Sequence, residues 1–160
     1  MKTGKENGKA KDLTAPQFVK KLTSLRSAAE LKKYHRYFEF DENESGHGDR
    51  FIGVRMGQVF ALAKEFMDMD PLEIKKLLKD PVHEVRAGAV SIMDFQARHK
   101  KTTELRKKEL FDLYITQHQY INNWDLVDRS APYVVGGYLF DKPRKILYKL
   151  ARSKNVWERR

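Results

Sequence analysis

An indole and two carboxylates are crowded together in the stretch Asn122-Asn123-Trp124-Asp125-Leu126-Val127-Asp128-Arg129-Ser130-Ala131-Pro132. On a helix, Trp124 and Asp128 are four positions apart and share a face, whereas Asp125 points about a third of a turn away and is placed to cap or to pair. The chain around them is strongly basic: 32 Lys and Arg against 22 Asp and Glu give a formal net charge of +10. Its long-range field therefore favours a polyanion. An acid aimed at such a partner weakens binding and asks for a chemical reason. A carboxylate beside an aromatic ring suits the steadying of a developing positive charge, which is the work of an enzyme on nucleic acid rather than of a passive binder. Two plainer readings stand beside this one. Asp128 could form a salt bridge to Arg86 or Arg129, and Trp124 could be interhelical packing.

Composition bounds the alternatives. At 160 residues, 41% hydrophobic and 34% charged, the chain is one domain or one extended array with a core of its own. Charge alone leaves nucleic acid, an anionic membrane and the ribosome open as partners. No apolar run approaches the roughly 20 residues of a membrane span, and the first dozen residues lack the apolar centre of a secretory signal. A cytoplasmic protein is expected, as a monomer and without membrane contact. The absence of cysteine removes disulfides, thiolate zinc sites and cysteine nucleophiles. Ser130 has neither a nucleophile elbow nor a histidine near it in sequence, so serine hydrolysis has no support. His83, His99 and His118 fall on separate helices without metal spacing and are expected on helix surfaces. His47, in the acidic glycine-containing run Asp41 to Asp49, matches no ligand template, so neither a metal nor a cofactor is expected.

The elements that must position Trp124 and Asp128 are helical almost throughout. Met1 to Asp12 reads as a flexible basic tail, and residues 13–160 as the folded domain. Apolar residues recur at threes and fours from Phe18 to Leu25, from Ala28 to Phe38, from about Val54 to Met67 and from Leu72 to Leu78. They do so again from Val82 to Phe95, Leu105 to Ile115 and Ile146 to Leu150. No strand pattern competes. Asp80-Pro81-Val82-His83-Glu84-Val85-Arg86-Ala87-Gly88-Ala89-Val90 resembles the second helix of a HEAT repeat, whose small residues allow close stacking. Val127-Asp128-Arg129-Ser130-Ala131 aligns beneath Val85 to Ala89 at an offset of about 42 residues, and Asn155 to Arg160 opens a third copy. The expected fold is all-α: a right-handed α-solenoid of HEAT-like repeats with a concave basic face. Arg86 is either a phosphate ligand on that face or part of the repeat's own packing.

Three segments together resemble a known family. Phe51-Ile52-Gly53-Val54, the Trp-Asp-x-Val-Asp run of Trp124 to Asp128 followed by Ala131-Pro132, and Trp157-x-x-Arg160 are similar to stretches of the HEAT-like DNA alkylation repair glycosylases, the AlkD group, along nearly the whole chain. The resemblance implies hydrolysis of the N-glycosidic bond of purines alkylated at N3 or N7 in double-stranded DNA. It assigns Asp128 to stabilise an oxocarbenium-like sugar and position water, Trp124 to pack against that sugar, and Arg160 to hold a phosphate. Trp157, Arg86 and Lys154 join Arg160 as candidate DNA contacts, although Trp157 also reads as ordinary packing. Members of the group carry more repeats than this chain, so a truncated product with further repeats past Arg160, turning over slowly or not at all, is expected. The alternative is a HEAT-like scaffold that binds nucleic acid or protein without catalysis.

Overall fold

Capping and proline signals in the sequence mark where the helices begin. Pro16 sits in the first turn of α1 (Ala15–Ser24), where its missing N–H costs nothing. Asp70 accepts the Leu72 N–H at 2.8 Å to start α4 (Pro71–Leu78), and Thr103 accepts from Arg106 at 3.2 Å to start α6 (Glu104–Gln117). The remaining helices are α2 (Ala28–Phe38), α3 (Met56–Glu65), α5 (His83–Arg98), α7 (Trp124–Ser130), α8 (Lys145–Leu150) and α9 (Val156–Arg159), with a 3₁₀ turn at His118–Tyr120. The computed structural model describes residues 13–38 and 49–160; the expected basic tail and the acidic loop with His47, apart from Asp49 at its end, lie outside the described residues. Regular structure among the described residues is helical, broken by a single β-bridge between Arg50 and Val82. Helix α3 starts at Met56 rather than at Val54, because Ile52, Gly53 and Val54 give their N–H groups to a side chain instead of to a helix.

The helices form two rows. In one, α3 lies on α5 and α5 on α7; in the other, α1 lies on α4 and α4 on α6, and the rows meet where α4 and α6 each contact α5. Between them runs a continuous apolar core. Phe18 and Leu22 of α1 are fully buried, and Phe18 meets Phe66 edge-on with 5.3 Å between ring centroids. Each such side chain contributes roughly 1.5–3 kcal/mol of transfer free energy. Gly88 is what lets Phe18 reach α5: a Cβ there would stand 2.3 Å from the end of the Phe18 ring.

Helix α7 does not simply end. Pro132 has no N–H for the Asp128 carbonyl, and its ring cannot sit against the carbonyl four residues back. The chain widens into a π-helix over Ala131–Gly137, a form found often beside functional residues. The segment thus keeps its direction while Asp128 occupies the last regular turn before the widening.

Candidate active site

Trp124 opens α7 and Asp128 lies one turn later. The indole is 48% exposed and the Asp128 side chain 51%, so neither is consumed by the core. Asp128 does not pair with Arg86 or Arg129. Its partner is Arg160, which donates from Nε to Oδ1 at 2.9 Å and from Nη2 to Oδ2 at 3.0 Å, a two-point contact. That guanidinium holds the Asp128 carboxyl below the usual carboxylate range, so the side chain is an anion at neutral pH.

The sequence-derived candidates divide between two cavities. One, of 470 Å³, runs between α6, the α7–π segment and α9, and is lined by Asp128, Pro132, Trp157 and Arg160. Trp157 also packs partly buried against the core, in keeping with its plainer reading. The other, of 350 Å³, is formed by Tyr34, Met56, Phe60, Val90, Trp124, Asp125 and Arg129. Asp128 lines the first and Trp124 the second, although they lie one turn apart on α7. Lys154 is exposed, ahead of α9, and its carbonyl accepts a hydrogen bond from Arg159.

Arg86 lies elsewhere. It is 4% exposed, ion-paired to Asp49, and donates to Asn122 Oδ1 at 2.7 Å and the Tyr120 carbonyl at 3.2 Å. Of its two sequence readings, the geometry favours packing: a guanidinium so enclosed cannot lie along a phosphate. The expectation for His83 needs correction too. It is fully buried, not on the helix surface, because the ring sits between two carboxylates. Nδ1 is 3.2 Å from Asp49 Oδ2 and Nε2 is 2.7 Å from Asp125 Oδ2. Burial by itself would lower the imidazole pKa, but the two carboxylates outweigh it and raise the value to about 9. The imidazolium therefore donates to both acids. Asp125 does pair, as its offset from Asp128 implied.

A second buried carboxylate explains the Phe51-Ile52-Gly53-Val54 stretch. Glu84 accepts the N–H groups of Ile52, Gly53 and Val54 at 3.0, 2.8 and 3.3 Å. Gly53 adopts φ +77°, and a Cβ there would stand 2.3 Å from the Ser27 carbonyl oxygen. Phe51 stacks on the His83 ring, 4.9 Å between centroids, and on Tyr34 at 5.7 Å. Arg129 is held between the rings of Phe60 and Phe95, at 4.5 and 5.0 Å, and lies 3.5 Å from Asp94. No group of three or more histidines, cysteines or acids among the described residues is placed to hold a metal ion.

Sequence reasoning missed His83 and Asp49. Asp49 belongs to an acidic loop with no periodicity to place it. His83 had a usable signal: the 42-residue offset that sets Val85 over Val127 also sets His83 over Asp125, and these two side chains are in contact.

The DNA alkylation repair enzyme family matches residues 18–160, taking in the Phe51 stretch, α7 and the Trp157–Arg160 segment. The chain belongs to this family. Comparisons with curated proteins and with solved structures gave no significant match. This AlkD-like DNA alkylation repair protein carries Trp124 and Asp128 on one short helix, with the carboxylate open to solvent. None of the helices described is long and apolar enough to cross a membrane.

Proposed function

We propose that this DNA alkylation repair protein is a monofunctional glycosylase that hydrolyses the N-glycosidic bond of N3- or N7-alkylated purines in duplex DNA. The observation that carries the reading is the half-exposed anion of Asp128 on a chain of net charge +10, one helical turn from an exposed indole. An alkylated purine is already cationic. It leaves as a neutral base, taking both electrons of the bond from C1′, and leaves positive charge on the sugar. Asp128 faces that charge and orients the water whose oxygen adds to C1′; the proton of that water passes to the carboxylate or to solvent, and an abasic site remains. Trp124 packs against the sugar with its electron-rich face toward the cationic centre.

Arg160 and Trp157, which line the Asp128 cavity, and exposed Lys154 ahead of α9 supply contacts to the DNA backbone. Arg160 then has two tasks, since the guanidinium that reaches phosphate also holds Asp128 ionised in the free protein. The two helical rows support a right-handed HEAT-like solenoid with these residues on its concave face. A cytoplasmic monomer acting on double-stranded DNA fits the reading. Incubation with a duplex bearing one N7-methylguanine is expected to yield free N7-methylguanine and an alkali-labile abasic site. Tight duplex binding without release of base would instead favour the non-catalytic scaffold.

A further inference from the structure

We infer that His83, bridging Asp49 and Asp125, is a positioning residue that sets how α7 presents Trp124 and Asp128 to DNA, an inference that rests on the glycosylase reading for its functional part. Helix α7 has only seven residues, too few to be stable alone, so its orientation depends on what anchors it. Anchors to α5 lie at both ends. Near its C-terminus Arg129 approaches Asp94 at 3.5 Å and Ser91 Oγ at 3.3 Å; at its N-terminus Asp125 receives His83 at 2.7 Å. Asn123 precedes α7 without a side-chain cap, which leaves the His83–Asp125 contact as the polar tie of the first turn among the described residues. Asp125 is the immediate neighbour of Trp124, and a shift of that turn moves the indole directly and Asp128 one turn on.

The anchor is itself braced. Asp49 meets the other nitrogen of His83 and also pairs with Arg86, which reaches Asn122 ahead of α7; Phe51 covers the ring face. Among the described residues, Asp49 from the segment before α3 and Asp125 from α7 meet the His83 ring, Arg86 of α5 pairs with Asp49, and Tyr34 of α2, beyond Phe51, feels Asp125 and Glu84 of α5. Tyr34, pushed up to about 12 by burial and the neighbouring acids, stays neutral while His83 titrates. Loss of the His83 proton removes one of its two donors, and the tie at Asp125 or at Asp49 must fail.

Two readouts taken together test this. With Trp157→Phe, Trp124 is the remaining indole of the two in the chain, and its quenching by acrylamide reports how the first turn of α7 is held. Quenching is expected to rise as pH climbs through about 9, at constant far-UV circular dichroism, and His83→Gln is expected to abolish that step. In single-turnover excision of N7-methylguanine, His83→Gln should slow the chemical step about tenfold with duplex affinity unchanged, as expected when groups at the reacting centre are slightly misplaced. Asp49→Asn, which keeps the imidazole but removes one carboxylate, should move the fluorescence step to lower pH. An unmoved step in Asp49→Asn, or a step that persists in His83→Gln, overturns the inference. Absence of base release by wild type, together with the expected fluorescence steps in the Trp157→Phe background, would reject the glycosylase reading while upholding the anchor.

Discussion

At Asp128 the electrostatics of binding and of catalysis pull in opposite directions. A carboxylate facing a polyanion reduces affinity, and the two-point contact with Arg160 offsets that cost in the free protein by neutralising it. The pairing makes a prediction about acid. Since Arg160 holds Asp128 below the usual carboxylate range, excision should persist as pH falls until that depressed pKa is crossed. Replacing Arg160 with Ala should shift the acid limb of the excision profile to higher pH, toward the ordinary value of an aspartate. A limb that stays in place in Arg160→Ala would mean that the ion pair does not set the ionisation of Asp128. The residue pair Trp124 and Asp128 was legible in the sequence because helical spacing alone puts them on one face. Their division between two cavities was not, since it depends on how α7 lies against α5 and α9.

Among the elements, the turn leading into α3 is the most constrained. Gly53 combines a positive φ with a backbone oxygen where a Cβ would go, so no rotamer change relieves the clash. Gly53→Ala is expected to destabilise the fold by roughly 2 kcal/mol or more, combining backbone strain with loss of Glu84 contacts, as read by urea denaturation. The contact between α5 and α7 depends on pH in a definite sense. His83 has a folded pKa of about 9 against 6.5 unfolded, so it binds its proton more tightly when folded. Its contribution is complete below pH 6.5 and is lost as pH rises through about 9; the shift corresponds to on the order of 3 kcal/mol. Denaturation of wild type should show that decline across the window, and His83→Gln should flatten it. Helix positions were legible because apolar period and capping residues act locally. The π-helix after Ser130 follows from Pro132, which marks a break but does not say whether the chain turns or widens. The burial of His83 required knowing that Asp49, 34 residues earlier in the chain, folds back against it.

Over the whole chain the net charge is +10, which suits the duplex DNA of the proposed function. Affinity should fall with salt on a log–log plot, with a slope set by the number of phosphates neutralised. Lys154→Ala should reduce that slope by about one unit, and an unchanged slope would remove Lys154 from the backbone path. The helical class was readable because apolar period acts locally along each helix. The role of Arg86 was open in the sequence, since its position fits both a phosphate ligand and an internal brace, and its burial and contacts with Asp49 and Asn122 favour the brace.

The central claim is that the Asp128 carboxylate performs chemistry on a damaged nucleotide rather than supporting the fold. Single-turnover release of N7-methylguanine by Asp128→Asn, with duplex affinity measured on the same preparation, tests it most directly. The account predicts a loss on the order of a hundredfold or more in the rate of base release, with affinity equal to or tighter than wild type. Release at the wild-type rate, or a loss that merely follows weakened binding, would contradict it.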